Sequence, residues 1–161
     1  MSTIMVGIGE VGISGNPGDI VKTMALGSCV AIVFLAPKAR AVGLAHVALP
    51  DSSIGGERAK SLPGYFADIA IPHLVGEFRK LGAVQSRDLI IKLAGGASIM
   101  DPNGVFNIGK RNVLAIRKIL WKHRLGAIVE DVGDNFSRTV WIEVGSGKVF
   151  VSSPRKGVWE I

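Results

Sequence analysis

Val30-Ala31-Ile32-Val33-Phe34-Leu35, then Ala36-Pro37-Lys38-Ala39-Arg40-Ala41, then Val42-Gly43-Leu44-Ala45-His46-Val47-Ala48-Leu49 is the stretch that decides the architecture. Two short apolar runs bounded by turn residues read as buried strands, and the connection between them predicts a hairpin of antiparallel neighbours. Just ahead of the first run stands Leu26-Gly27-Ser28-Cys29, a Gly-Ser turn carrying the only cysteine. The second run holds His46, one of three histidines in the chain. The hairpin therefore predicts that thiol and imidazole meet across neighbouring strands.

Two readings stand for this pair. Free cysteine is among the most often buried residue types, and a lone histidine on an apolar strand is commonly a satisfied core group. Alternatively, Cys29 is a nucleophile at a strand entrance, served by His46. Because free cysteine has a pKa of about 8.5, the expectation on this second reading is an imidazolium that enriches the thiolate at neutral pH. The glycine approach and the hydroxyls of Thr23 and Ser28 just before the thiol favour the second reading.

Outward from the hairpin, Ile4 to Ile8, Val11 to Ile13 and Ile20 to Met24 read as short strands, with Gly15-Asn16-Pro17-Gly18-Asp19 as a turn. Asp51 to Gly64 is a long connection of the kind that often serves as a lid. Apolar spacing of three and four predicts a helix over 65–81, ended by Gly82, with Pro72 expected to kink or restart it. A second helix is expected over 110–124. Val113, Ile116, Ile119 and Leu120 form its apolar side and Lys110, Arg111, Lys118 and Lys122 the opposite one, with Arg117 and Arg124 at the border. Strands over 89–93, 127–132, 139–144 and 148–151 complete the pattern. Strands grouped at both ends around two helices argue for α+β.

At 161 residues and 17.0 kDa the chain reads as a single domain spanning 1–161. Its 21 glycines are about twice the usual share of about 7 % and imply many tight turns. One cysteine cannot form an internal disulfide, and the start of the chain lacks the cationic and apolar regions of a secretion signal, so a cytoplasmic setting is expected. No apolar run reaches the length of a membrane span, which argues against membrane insertion.

Several chemistries lose support. Three scattered histidines and one cysteine offer no zinc-ligand spacing, so no metal is expected. Gly7-Ile8-Gly9-Glu10-Val11-Gly12 spells the dinucleotide fingerprint but runs into Ile13 and a turn where the motif requires a helix, so no nucleotide cofactor is expected. The net charge of +6 favours acidic partners. Nucleic acid is disfavoured because no aromatic stacking motif accompanies the basic helix.

Thr23-x5-Cys29 with Leu26-Gly27-Ser28-Cys29, followed by Ala45-His46-Val47-Ala48-Leu49-Pro50-Asp51-Ser52, resembles the chemoreceptor glutamine deamidase family, CheD. Phe66-Ala67-Asp68-Ile69-Ala70, Lys92-Leu93-Ala94-Gly95-Gly96-Ala97, Asn107-Ile108-Gly109-x-Arg111-Asn112-Val113 and Glu130-Asp131-Val132-Gly133 continue the likeness in the same order over nearly the whole chain. The resemblance implies an α+β sandwich of mixed sheets flanked by helices, related to toxin-type cysteine deamidase domains. The implied activity is conversion of receptor glutamine side chains to glutamate, with hydrolysis of receptor glutamate methyl esters as a further activity.

By the same resemblance the triad is Cys29, His46 and Thr23, and no cofactor is needed. Gly27 and Ser28 are candidates for oxyanion or turn support. The implied partners are methyl-accepting chemotaxis receptors and a CheC-type phosphatase. A non-catalytic adaptor of the same fold is the alternative, and a general cysteine peptidase is disfavoured. Ala25 and Asp134 depart from the family's pattern, where relatives often carry glycine.

Overall fold

The computed structural model describes residues 1–99, 101 and 103–161, with the backbone alone at residue 54. Ten strands form two five-stranded mixed sheets. They are β1 (Thr3–Met5), β2 (Val11–Ser14), β3 (Ile20–Leu26), β4 (Val30–Ala36), β5 (Ala41–Val47), β6 (Ile90–Gly95), β7 (Ala127–Val132), β8 (Arg138–Glu143), β9 (Lys148–Ser153) and β10 (Gly157–Glu160). The first sheet runs β1-β3-β8-β9-β10 and the second β2-β5-β4-β6-β7. The pairs β1/β3 and β6/β7 are parallel and the rest antiparallel.

The expected hairpin is present, with Val30 opposite Val47, Ala31 opposite His46 and Ala36 opposite Ala41. Both of its strands are buried along their whole length. The cause is that the second sheet is covered on both faces, so neither side of β4 or β5 meets water. Val30, Ile32 and Phe34 pack with Ala45 and Val47 against the helices α2 (Ala67–Lys80) and α3 (Ile108–Lys122). Ala31, Val33, Val42 and Leu44 instead join Val21, Leu26, Val140 and Val151 between the two sheets. The resulting order of layers is sheet, sheet, helices, an α+β sandwich as expected.

The structure departs from the expectations in three places. Pro72 does not interrupt α2, which runs unbroken past it. Proline removes only the hydrogen bond to the carbonyl of Asp68, and its ring lies on the exposed side. The 51–64 connection is no plain loop; it folds into a 3-10 turn at Ser52–Ile54 and one helical turn, α1 (Arg58–Ser61). Asp68 from α2 anchors it by accepting from the Ser52 N–H and hydroxyl. Gly7 to Gly12 leads into strand β2 and not into a helix, as its sequence context predicts. Finally, β10 was not anticipated. Its residues are mostly exposed and so show no apolar alternation, and Trp159 is held by its indole N–H to Asp131, 2.5 Å away.

Candidate active site

Side-chain alternation places three polar groups in the layer between the sheets. Val42 and Leu44 of β5 face that layer, so His46, two residues further on, does too. Thr23 follows Val21 by two on β3 and shares its face, and Cys29, two residues before Ala31, joins the same cluster. Thr23 and His46 are almost completely buried, at 0 % and 1 % exposure, whereas Cys29 is half-buried.

The Thr23 hydroxyl lies 2.6 Å from the carbonyl oxygen of Val6 and 2.6 Å from His46 Nδ1. A hydroxyl has one proton, and a carbonyl can only accept, so the proton goes to Val6. Thr23 Oγ1 then accepts from Nδ1–H, and this network assigns the neutral tautomer whose lone pair sits on Nε2. Nε2 is itself buried and has no partner among the described residues. The backbone secures the ring as well: the His46 N–H donates to Glu10 and its carbonyl accepts from Gly9.

Cys29 immediately precedes β4, whose Ala31 pairs with His46 on β5, so the thiol stands just beyond the end of the ladder that holds the imidazole. The electrostatics differ from the expected ion pair. Burial lowers the His46 pKa from its ordinary 6.5 to about 4. Burial also raises that of the Cys29 thiol, against a smaller opposing effect of a hydrogen bond to its own backbone. No neighbouring charge offsets the desolvation of either group, so the resting pair is thiol and neutral imidazole.

The turn before Cys29 is shaped by a bulge, with the β3/β8 register shifting between Thr23 and Leu26 and Ala25 in the left-handed region at φ 58°. The carbonyls of Gly27 and Cys29 accept from Ala97 and Gly96, both at 2.8 Å. Gly95 is obligatory here, because a Cβ at its φ of 119° would collide with the Cys29 carbonyl oxygen. The N–H groups of Gly27, Ser28 and Cys29 meet no carbonyl among the described residues. Asp134, the second departure from the family's pattern, is likewise left-handed, at φ 61°.

Cys29, Gly27 and Ser28 line a cavity of about 820 Å³ whose far side is α3 and whose rim includes Ile99, Phe106 and Lys110. Of the three residues, Cys29 lines this cavity, and neither His46 nor Thr23 does. Part of the rim is ordered by Asp101, whose carboxylate accepts from the N–H groups of Val105, Phe106 and Asn107 at 2.8–2.9 Å. These bonds, that from Asn107 foremost, lower its pKa. The remaining histidines lie apart from the group, His73 on α2 and His123 at the exposed end of α3.

A family model described as CheD chemotactic sensory transduction matches residues 48–153. The chain belongs to the CheD family. It is 49 % identical, over the full length of both chains, to the probable chemoreceptor glutamine deamidase CheD of Syntrophotalea carbinolica. It is 46 % identical to CheD 1 of Syntrophus aciditrophicus, covering 95 % of each chain. With the chemoreceptor glutamine deamidase CheD of Thermotoga maritima the identity is 45 %, over 91 % of this chain and 89 % of the relative. The matched CheD segment opens just after His46, and the relatives extend the likeness across the hairpin.

Sequence reasoning gave no role to the Val6 carbonyl or to Asn112, whose side chain is fully buried. Val6 carries no signal, since any residue supplies a carbonyl. Asn112 does: it stands between Gly109 and Val113 on the buried stripe of α3, a lone amide among apolar neighbours.

Proposed function

We propose that this CheD-family chain hydrolyses glutamine side-chain amides of chemotaxis receptors to glutamate, with Cys29 as nucleophile, His46 as general base and acid, and Thr23 orienting the imidazole. The observation carrying this reading is the Thr23–His46 hydrogen bond, which turns an unpartnered Nε2 toward the layer shared with a thiol at a cavity wall. The names of the relatives supply the substrate class.

In the first half-reaction Nε2 takes the thiol proton as sulfur bonds to the amide carbon. The tetrahedral adduct then expels nitrogen, which leaves as ammonia with the proton from His46. In the second, water attacks the thioester while His46 takes its proton, the carbon–sulfur bond breaks, and the proton returns to sulfur. The N–H groups of Gly27, Ser28 and Cys29, which meet no carbonyl among the described residues, would serve the developing oxyanion. A methyl ester reacts by the same route with methanol leaving in place of ammonia.

The test incubates the protein with receptor cytoplasmic fragments and follows ammonia together with a mass gain of about one dalton per converted side chain, as exchange of NH2 for OH requires. Cys29→Ala is expected to bind the fragments and release no ammonia. Undiminished release by that variant overturns thiol catalysis.

A further inference from the structure

Asn112 is fully buried on α3, and its amide is committed to two places at once. Nδ2 donates to the carbonyl oxygen of Ser28 at 3.0 Å and to that of Ala48 at 3.1 Å. Ser28 immediately precedes Cys29, and Ala48 lies two residues beyond His46. The β4/β5 ladder ends at the pair Val30–Val47, so Cys29 and Ala48 stand where the strands part. Both amide protons of Asn112 thus bridge the gap at which the ladder stops.

The orientation of the amide is fixed. Reversed, it would set Oδ1 against two carbonyl oxygens and lose both bonds. As it stands, Oδ1 is buried and has no partner among the described residues. An apolar residue of similar size would fill the same volume without an unsatisfied acceptor, so packing alone does not account for an asparagine here. A second observation shows how the amide is delivered. Gly109, one turn earlier on α3, lies so close to the Gly96 and Ala97 carbonyls that a Cβ would sit 2.5 Å and 2.6 Å from them. That approach seats the helix on the segment that also holds the Gly27 and Cys29 carbonyls.

We infer that Asn112 is a positioning residue, clamping the turn that carries the thiol to the end of the strand that carries the imidazole and so setting the separation of Cys29 and His46. This rests on the reading of those two groups as the reacting pair. Asn112 is fully buried and does not line the cavity.

Because Cys29 is the only cysteine, its alkylation by iodoacetamide reports on the turn without reference to any receptor. The experiment compares Asn112→Leu, which fills the volume without donors, and Asn112→Ser, which is smaller and keeps one, with Ile142→Val, a mild variant of the core between the sheets. For each, thermal unfolding, the pH profile of alkylation, and kcat and KM on receptor fragments are measured. The expected result for Asn112→Leu is a kcat about 100-fold lower, as displacement of a reacting group by about 1 Å produces, with KM little changed. Its alkylation profile is expected to move to lower pH as the loosened turn exposes the thiol, with Asn112→Ser intermediate and Ile142→Val like the parent. A folded Asn112 variant with parental kcat and alkylation profile overturns the inference, as does an equal change in Ile142→Val. If the parent protein itself releases no ammonia, the deamidase reading fails while the alkylation profiles still decide whether Asn112 holds the turn.

Discussion

At the residue level the decisive contact is one hydroxyl that gives its proton to Val6 and accepts one from His46. Thr23→Val keeps the shape, removes both bonds and frees the ring to take the other tautomer. A loss of about 100-fold in kcat is expected, the lower end of what general base catalysis contributes, and Thr23→Ser should recover most of it. Steady-state kinetics on receptor fragments check both. The shifted pKa values give a second expectation. A base with a pKa near 4 stays in its working, neutral form down to weakly acid pH, so kcat/KM should hold across neutrality and fall only as pH approaches about 4. Alkylation of Cys29 should rise on the alkaline side, above the range of an ordinary thiol, with no plateau at neutral pH. A neutral-pH plateau would restore the thiolate–imidazolium pair. That ion pair was the natural expectation from residue types, because types carry no measure of desolvation; the depth of His46 became visible only when a second sheet closed over it.

Among the elements, the bulge in β3 has the clearest energetic signature. Ala25 occupies a left-handed conformation that costs an L-residue about 1–2 kcal/mol, so Ala25→Gly should relieve strain beyond the smaller entropic penalty of glycine. The expected net gain is about 0.5–1 kcal/mol, seen as a rise of a few degrees in Tm with kcat unchanged. Asp134→Gly should gain less, because aspartate tolerates this region better than alanine does. Ala25 and Asp134 thus both stand where backbone geometry favours glycine. The β4/β5 hairpin was legible because both of its runs are apolar throughout, and α3 because its apolar stripe is regular. The strand β10 was not, since it buries no face, and the helical turns of 51–64 were not, since three or four residues make barely one helical turn.

For the whole molecule, the basic side of α3 is the main question of docking. Lys118 and Lys122 are exposed, as are Leu114 and Trp121 beside them, while Arg117 is engaged with Glu130. Receptor segments rich in glutamate would suit this face. Lys118→Glu combined with Lys122→Glu should weaken receptor binding, most clearly at low ionic strength where charge attraction is least screened. Unchanged affinity under those conditions would move the docking surface elsewhere. The helical wheel exposed this charge distribution fully, but the way α3 faces Cys29 across one cavity depends on three layers stacking and has no local trace in the chain.

The sheet that presents Thr23 is assembled from the two ends of the polypeptide, with β1 and β3 joined edge to edge with β8, β9 and β10. During synthesis, therefore, the hydroxyl that bonds the imidazole has no finished platform until β8, β9 and β10 have been made. Such distant pairing also makes for slow folding. The nascent chain carries its sulfur and its ring early, and the sheet that orients that ring closes late.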